Sequence, residues 1–269
     1  MTHESAPPRG LSRPGKWARG AAGVAILFLA SEILGRAGVV DRSYLPPASS
    51  ITARAFELAG DPDFLFNVRV TLTAWALGLL IATAIAVPLG LLFGSVPAVN
   101  TAVRAIVEFL RPIPSVALIP LAALLLGSGL KMEVPLVVYA SSWPILFNTV
   151  YGLDDVDPTA KDTLRSFGFS RFQVLLRVSL PSAAPFIATG VRLAASIALI
   201  LAVGTEILSG FGDGLGMFIA QAGNVPGGTL DVLAGTVWAG CLGLLIDMLL
   251  GQGENRVFRW HKAQRSGAS

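Results

Sequence analysis

The residues that build most metal and redox sites are nearly missing from this chain: 1 Cys and 2 His in 269 residues. A single Cys excludes a disulfide scaffold and a Cys-rich metal centre. His3 and His261 stand at opposite ends of the sequence, so no His pair is available for a metal or a proton relay. Charge is scarce as well. Only 14% of residues are Asp, Glu, Lys or Arg, while 53% are apolar, and mean hydropathy is +0.67. Soluble globular domains carry about 25% charge, so a water-soluble globule of this size would lack the polar surface to cover itself. Disorder requires low hydrophobicity and high net charge, and a net charge of +3 on so apolar a chain is the reverse. No G-x-x-x-x-G-K-[ST] phosphate loop and no G-x-S-x-G nucleophile turn occurs. Carboxylates at metal-ligand spacing and internal repeats are absent too.

What the sequence has in abundance is long apolar runs. A helix crossing a bilayer needs about 20 mostly apolar residues in sequence. Six stretches qualify, near 18–40, 67–94, 102–127, 132–152, 183–209 and 230–252, and isolated loops cannot cross lipid. The expectation is an all-α, polytopic membrane protein with six transmembrane helices. Arg9, Arg13, Lys16 and Arg19 precede the first run, which Glu32 interrupts with no clear cleavage site after it, so an uncleaved anchor is expected rather than a signal peptide. Lys161, Arg165, Arg171 and Arg177 crowd the 153–181 loop, and Arg256, Arg259, Lys262 and Arg265 follow the last run. The opposite side holds only Arg36, Arg42, Arg54, Arg69 and Lys131. The positive-inside rule then puts both termini and that loop in the cytoplasm. This gives a cytoplasmic tail over 1–17, a transmembrane domain over 18–260 with its loop at 154–181, and a second cytoplasmic tail over 261–269. The basic balance reflects topology, so no nucleic-acid partner is implied.

Within the runs, Ala74, Gly78, Ala82, Ala86 and Gly90 recur at four-residue steps, as do Gly235, Ala239 and Gly243. Such stripes let another helix approach closely, either within the bundle or in an oligomer. Pro112, Pro114 and Pro120 break the third run, and Pro135 and Pro144 bend the fourth. Glu32, Glu108, Arg111, Arg192, Glu206 and Asp247 lie inside apolar runs, where each charge costs at least about 2.5 kcal/mol at the centre of a span and should face the bundle interior. Arg111 and Arg192 both fall roughly 14 Å along their helices. They either attract an anion together or pair internally, Arg111 with Glu108 and Arg192 with Asp247. Cys241 reads as a small buried apolar residue.

The loop reads as two short amphipathic helices joined at a glycine. Asp157 followed by Pro158 is a helix start, Gly168 a helix C-cap, and Ser170 the cap of a second helix carrying Phe172, Leu175 and Leu176. Such an element either lies on the membrane surface or docks a soluble partner through Phe167, Phe169 and the arginines.

Gly168, nine residues, Val178, one residue, then Leu180-Pro181 resembles the EAA signature of ABC importer permeases, E-A-A-x3-G-x9-I-x-L-P. Asp162, Thr163 and Leu164 stand where that family has Glu-Ala-Ala, so the acid is kept in kind and both alanines are replaced. LRPIPSVALIPL (110–121), NTVYG (148–152), LPSAAPFIATGVRLA (180–194), VGTEIL (203–208), GLG (214–216), ENRVFRW (254–260) and YLPPASS (44–50) are similar to binding-protein-dependent permeases of the aliphatic sulfonate, taurine and nitrate group. The resemblance implies a permease subunit, without enzymatic activity or cofactor, in a bacterial inner membrane. It would be paired with a second permease subunit (a homodimer), two cytoplasmic ATPases and an extracytoplasmic solute-binding protein. It also implies a coupling helix near 159–172. Coupling to the ATPase would then rest on Asp162, Arg165, Phe167, Gly168, Phe169, Arg171, Leu180 and Pro181, with Arg111, Arg192 and Glu206 along the pathway. The competing class is an ion-driven secondary transporter, which would usually show internal repeats and a midplane ion site.

Overall fold

The computed structural model describes residues 13–37, 41 and 43–258. Most of the two predicted tails, including Arg9, Arg259, Lys262, Arg265 and both histidines, lies outside them. No strand occurs among the described residues. The helices are α1 (Arg13–Ala37), α2 (Ala48–Leu58), α3 (Pro62–Ser95), α4 (Pro97–Leu110), α5 (Ile119–Leu126), α6 (Leu130–Asp154), α7 (Pro158–Ser166), α8 (Arg171–Val174), α9 (Leu180–Ser209), α10 (Leu215–Gly223) and α11 (Thr229–Val257). A short 3-10 turn, Ser115–Leu118, precedes α5, and a π-helical segment, Leu175–Ser179, joins α8 to α9.

Five helices among the described residues are long and apolar enough to cross a membrane. They correspond to every predicted span except the third. There the structure has α4, a break, and the turn running into α5. The cause is local. Pro114 has no N–H to give the carbonyl of Leu110 four residues back. The Tyr139 hydroxyl donates to that carbonyl instead, at 2.7 Å, and so does the Ile113 amide at 3.1 Å. A neighbouring helix thus satisfies the group that proline frees.

The core is α3, α6 and α9. The small-residue stripe of α3 is entirely buried and it receives α6. A β-carbon at Gly78 would lie 2.3 Å from Val137 Cγ1, one at Gly90 2.6 Å from Thr149 Cβ, and one at Gly94 2.6 Å from Leu153 Cδ1. The offset along the chain is the same at all three contacts, so α3 and α6 run parallel at close approach over most of their length. Helix α9 packs antiparallel on α6, Gly152 against Phe186 and Gly190 against Asn148, with would-be β-carbon distances of 2.8 Å at both. Trp75 ties α3 to α9 by donating its indole N–H to Ala195 O at 2.9 Å. The α3 stripe therefore serves packing inside one chain. On α11, Gly235 meets Ile219 of α10.

Cys241 is exposed, contrary to the sequence expectation. Helix α11 buries Ala234, Gly235, Leu242, Ile246 and Gly251, and position 241 falls off that face. Helix α2 is tied to α11 by Arg54, whose guanidinium donates to Asp231 at 2.6 Å and Glu57 at 2.8 Å. Those bonds, Asp231 first, hold the Arg54 pKa above its ordinary value. Trp238 donates to Ala55 O at 2.8 Å. Helix α1 is largely exposed and meets α2 through Glu32, which accepts from Ser49 N at 2.8 Å and Ser49 Oγ at 2.9 Å.

Candidate functional site: the 154–181 loop and the intramembrane charges

The loop is built by its caps. The Asp157 carboxylate accepts from Thr159 N at 2.8 Å and Pro158 opens α7. The helix stops at Gly168, which adopts φ +83°. There Phe169 N donates to Leu164 O at 3.2 Å and Gly168 N to Arg165 O at 2.9 Å, the bond pattern of a glycine-terminated helix. A β-carbon on Gly168 would meet nothing within 4 Å, so conformation rather than space selects glycine here. Ser170 then caps α8 reciprocally: Gln173 N donates to Ser170 Oγ at 3.3 Å and Ser170 N to Gln173 Oε1 at 2.9 Å.

The second helix is not separate from the fifth span, as the sequence suggested. Residues Arg171–Ser209 form one continuous rod of 39 residues. Pro181 lacks an N–H, and the π-helical turn before it absorbs the mismatch, with Leu180 N donating to Leu175 O.

At the tip, Phe167 is 77% exposed and Phe172 67%. Arg165 pairs with Asp162 at 3.1 Å, both well exposed. Arg177 lies 4.9 Å over the ring of half-buried Phe169. Arg171 is exposed, Leu180 half-buried and Pro181 exposed. Six of the eight loop residues, from Asp162 to Arg171, lie in α7, the turn and the start of α8, and Leu180 and Pro181 open α9; exposed Phe167 and Phe172 add two aromatic faces.

The intramembrane residues go to separate places. Arg192 of α9 forks onto Asp247 of α11, Nε to Oδ1 at 2.7 Å and Nη2 to Oδ2 at 2.8 Å, with Glu254 at 3.8 Å. Thr189 also donates to Glu254, at 3.0 Å. The internal pairing weighed for Arg192 is thus present. Arg111 is exposed at the break after α4 and sits 4.6 Å over the Phe147 ring of α6. The two arginines engage different helices and do not form one site.

Glu206 is 1% exposed. Thr71 Oγ1 donates to its carboxylate at 2.7 Å and Gly216 N at 2.7 Å. Leu215 N donates to Thr71 Oγ1 at 2.8 Å, and Gly214 N to Asn67 Oδ1 at 2.7 Å. The GLG segment at 214–216 is therefore a backbone cradle around a buried acid. Glu133 is also 1% exposed, and its Oε2 has no hydrogen-bond partner among the described residues. Sequence reasoning missed Asn67, Thr71 and Glu133. Glu133 stands at the edge of its apolar run, next to Lys131, and reads there as a solvated end charge. No group of His, Cys, Asp and Glu suited to a metal occurs among the described residues.

This helical arrangement is shared with a chain of a bacterial ABC transporter that imports the acidic polysaccharide alginate. The TM-score is 0.63, covering 92% of this chain and 100% of that one, and at 17% identity the likeness is one of fold. In sequence, the taurine transport system permease protein TauC of Escherichia coli is 29% identical over 223 residues, 81% of this chain and 80% of the relative. The nitrate import permease protein NrtB of Leptolyngbya laminosa is 28% identical over 197 residues, 73% and 70% respectively. The class is that of ABC importer permeases, multi-pass membrane subunits of a transporter rather than enzymes. The chain belongs to the binding-protein-dependent transport system inner membrane component family, whose pattern matches residues 86–258.

Proposed function

We propose that this permease carries a small anionic solute, a sulfonate, taurine, nitrate or a related organic acid, across the cytoplasmic membrane, and that the 154–181 loop is where an ATPase drives it. One observation carries the coupling reading. The glycine-terminated helix presents exposed Phe167 at the turn, and the helical run that begins at Arg171, carrying exposed Phe172, continues from there into α9. An element of that build transmits a push on its tip to the core. Asp162, Arg165, Phe167, Gly168, Phe169, Arg171, Leu180 and Pro181 are its working residues in this reading.

The partners follow from the same reading: a pair of cytoplasmic ATPases, an extracytoplasmic solute-binding protein, and a second permease subunit in a two-fold homodimer. Both termini would then be cytoplasmic. Arg111, exposed at a helix break, is the best placed of the three intramembrane residues to meet solute. Arg192 and Glu206 act by holding the helices that shape the pathway. The likeness to TauC over 81% of the chain supports the solute class.

Gly168→Asp tests the coupling. A carboxylate side chain in this left-handed position should abolish solute uptake by membrane vesicles while the protein stays inserted at normal abundance. Normal uptake by that variant would sink the coupling reading. Ligand screening of the cognate binding protein identifies the solute.

A further inference from the structure

Between the loop and the helix ends lies a cavity of about 520 Å³ that shares Arg165 and Arg171 with the coupling surface but adds Lys161 and the ends of three spans. Its position is fixed by the spans around it. Val96 directly follows α3, Leu153 is in the last turn of α6, and Ser179 directly precedes α9. Three helices long and apolar enough to cross a membrane begin or end at this level, where a span of that kind meets the headgroups.

Its charged lining residues are all cations: Lys161, Arg165 and Arg171. The acids of the loop, Asp154, Asp155 and Asp157, are not among the lining residues, and neither is Asp162, which pairs with Arg165 at 3.1 Å. Lys161 is anchored by donating to Leu153 O at 3.0 Å, which fixes its ammonium beside the cavity. Arg171 makes no ion pair among the described residues. The hydroxyl-bearing residues Ser95 and Ser179 and the apolar Val96 and Phe172 complete the wall. Cations backed by an apolar wall match a group that is anionic at one end and greasy at the other. Basic pockets between spans at this depth are built for phosphate headgroups, and the volume is in the range of small-molecule sites.

We infer that this cavity is a binding site for the phosphate headgroup of an anionic phospholipid, held by Lys161, Arg165 and Arg171. The lipid ties the foot of the loop to the ends of α3, α6 and α9. It goes beyond the transport assignment and does not depend on which solute is carried.

The test is titration of short-chain phosphatidylglycerol into the detergent-purified full chain, read by native mass spectrometry. Phosphatidylcholine and inorganic phosphate are the comparison probes. Saturable binding of phosphatidylglycerol is expected, weakened about fivefold by Arg171→Gln and about 25-fold by Lys161→Gln with Arg171→Gln. Arg171→Lys should restore most of it. Thermal unfolding of each variant reports its folding, and Arg171→Gln, at an exposed position, should leave the midpoint unchanged. Phosphatidylcholine binding as tightly as phosphatidylglycerol overturns the site. Inorganic phosphate displacing the lipid at equal concentration overturns the lipid as occupant in favour of a free anion. Loss of a co-purifying ATPase from Arg171→Gln, with lipid binding intact, overturns it in favour of a protein-docking surface.

Discussion

Gly214 stands so close to Glu206 that a β-carbon on it would lie 2.3 Å from the carboxyl carbon. The same glycine adopts φ +140° and donates its amide to Asn67. Gly214→Ala therefore meets both a steric and a conformational obstacle, and should lower stability by about 1–3 kcal/mol. A fall in thermal midpoint of the detergent-purified protein checks this. Gly204, on the neighbouring α9, has nothing within 4 Å of its would-be β-carbon. Gly204→Ala should be silent or mildly stabilising, and an equal loss in both variants would count against the cradle.

Arg192 and Asp247 should behave as a pair. Removing either leaves a charge without its fork, so Arg192→Met and Asp247→Leu should each reduce the yield of folded protein and its thermal midpoint. The double variant should recover much of the loss, because breaking such a pair is worse than replacing it with apolar groups. A double-mutant cycle measures this directly. Purely additive losses would show that the fork contributes nothing to joining α9 and α11.

Close approach of α3 and α6 makes its glycines intolerant of even one methyl. Gly78→Ala drives a β-carbon into Val137 and should cost about 1–3 kcal/mol through overpacking. Val137→Ala removes the nearer methyl and should return part of that stability. A Gly78→Ala protein with wild-type unfolding would mean that α6 sits elsewhere.

Phe167 is exposed without touching the core, so Phe167→Ala should leave the thermal midpoint unchanged, as for other surface substitutions, within roughly 0.5 kcal/mol. Retention of the ATPase on an affinity-tagged permease should nonetheless fall sharply. Unchanged retention would assign the ring to the membrane surface instead.

The readable parts of this molecule were those fixed by neighbours in sequence. Asp157-Pro158, Gly168 and Ser170 announce the caps because each satisfies backbone groups two or three residues away. The Ala74–Gly90 stripe shows a contact face because helical period alone sets it. Arg192 with Asp247 could be inferred from depth. Unread were the partners chosen across the fold. Thr71 and Glu206 are 135 residues apart, and Arg111 faces Phe147 by helix rotation, which no local pattern encodes. The break in the third span was legible from Pro112, Pro114 and Pro120, but not what makes it tolerable, since Tyr139 on another helix supplies the donor that Pro114 withholds. The π-helical turn was invisible because it depends on how Pro181 is absorbed into a longer helix.

That turn has a mechanical consequence. Helical bonding continues through it, so the segment from Arg171 to Ser209 is one run of 39 residues, about 58 Å long at helical rise, with its bend points, the π turn, Pro181 and Pro185, gathered at the loop end. Tilting such a lever about one end by roughly 5° sweeps the other through about 5 Å, a full helical pitch. Glu206 and its GLG cradle ride near the far tip. Beyond Pro185 no proline interrupts the helix, so a small change of angle at the loop end is carried as a displacement at the opposite end of the bundle.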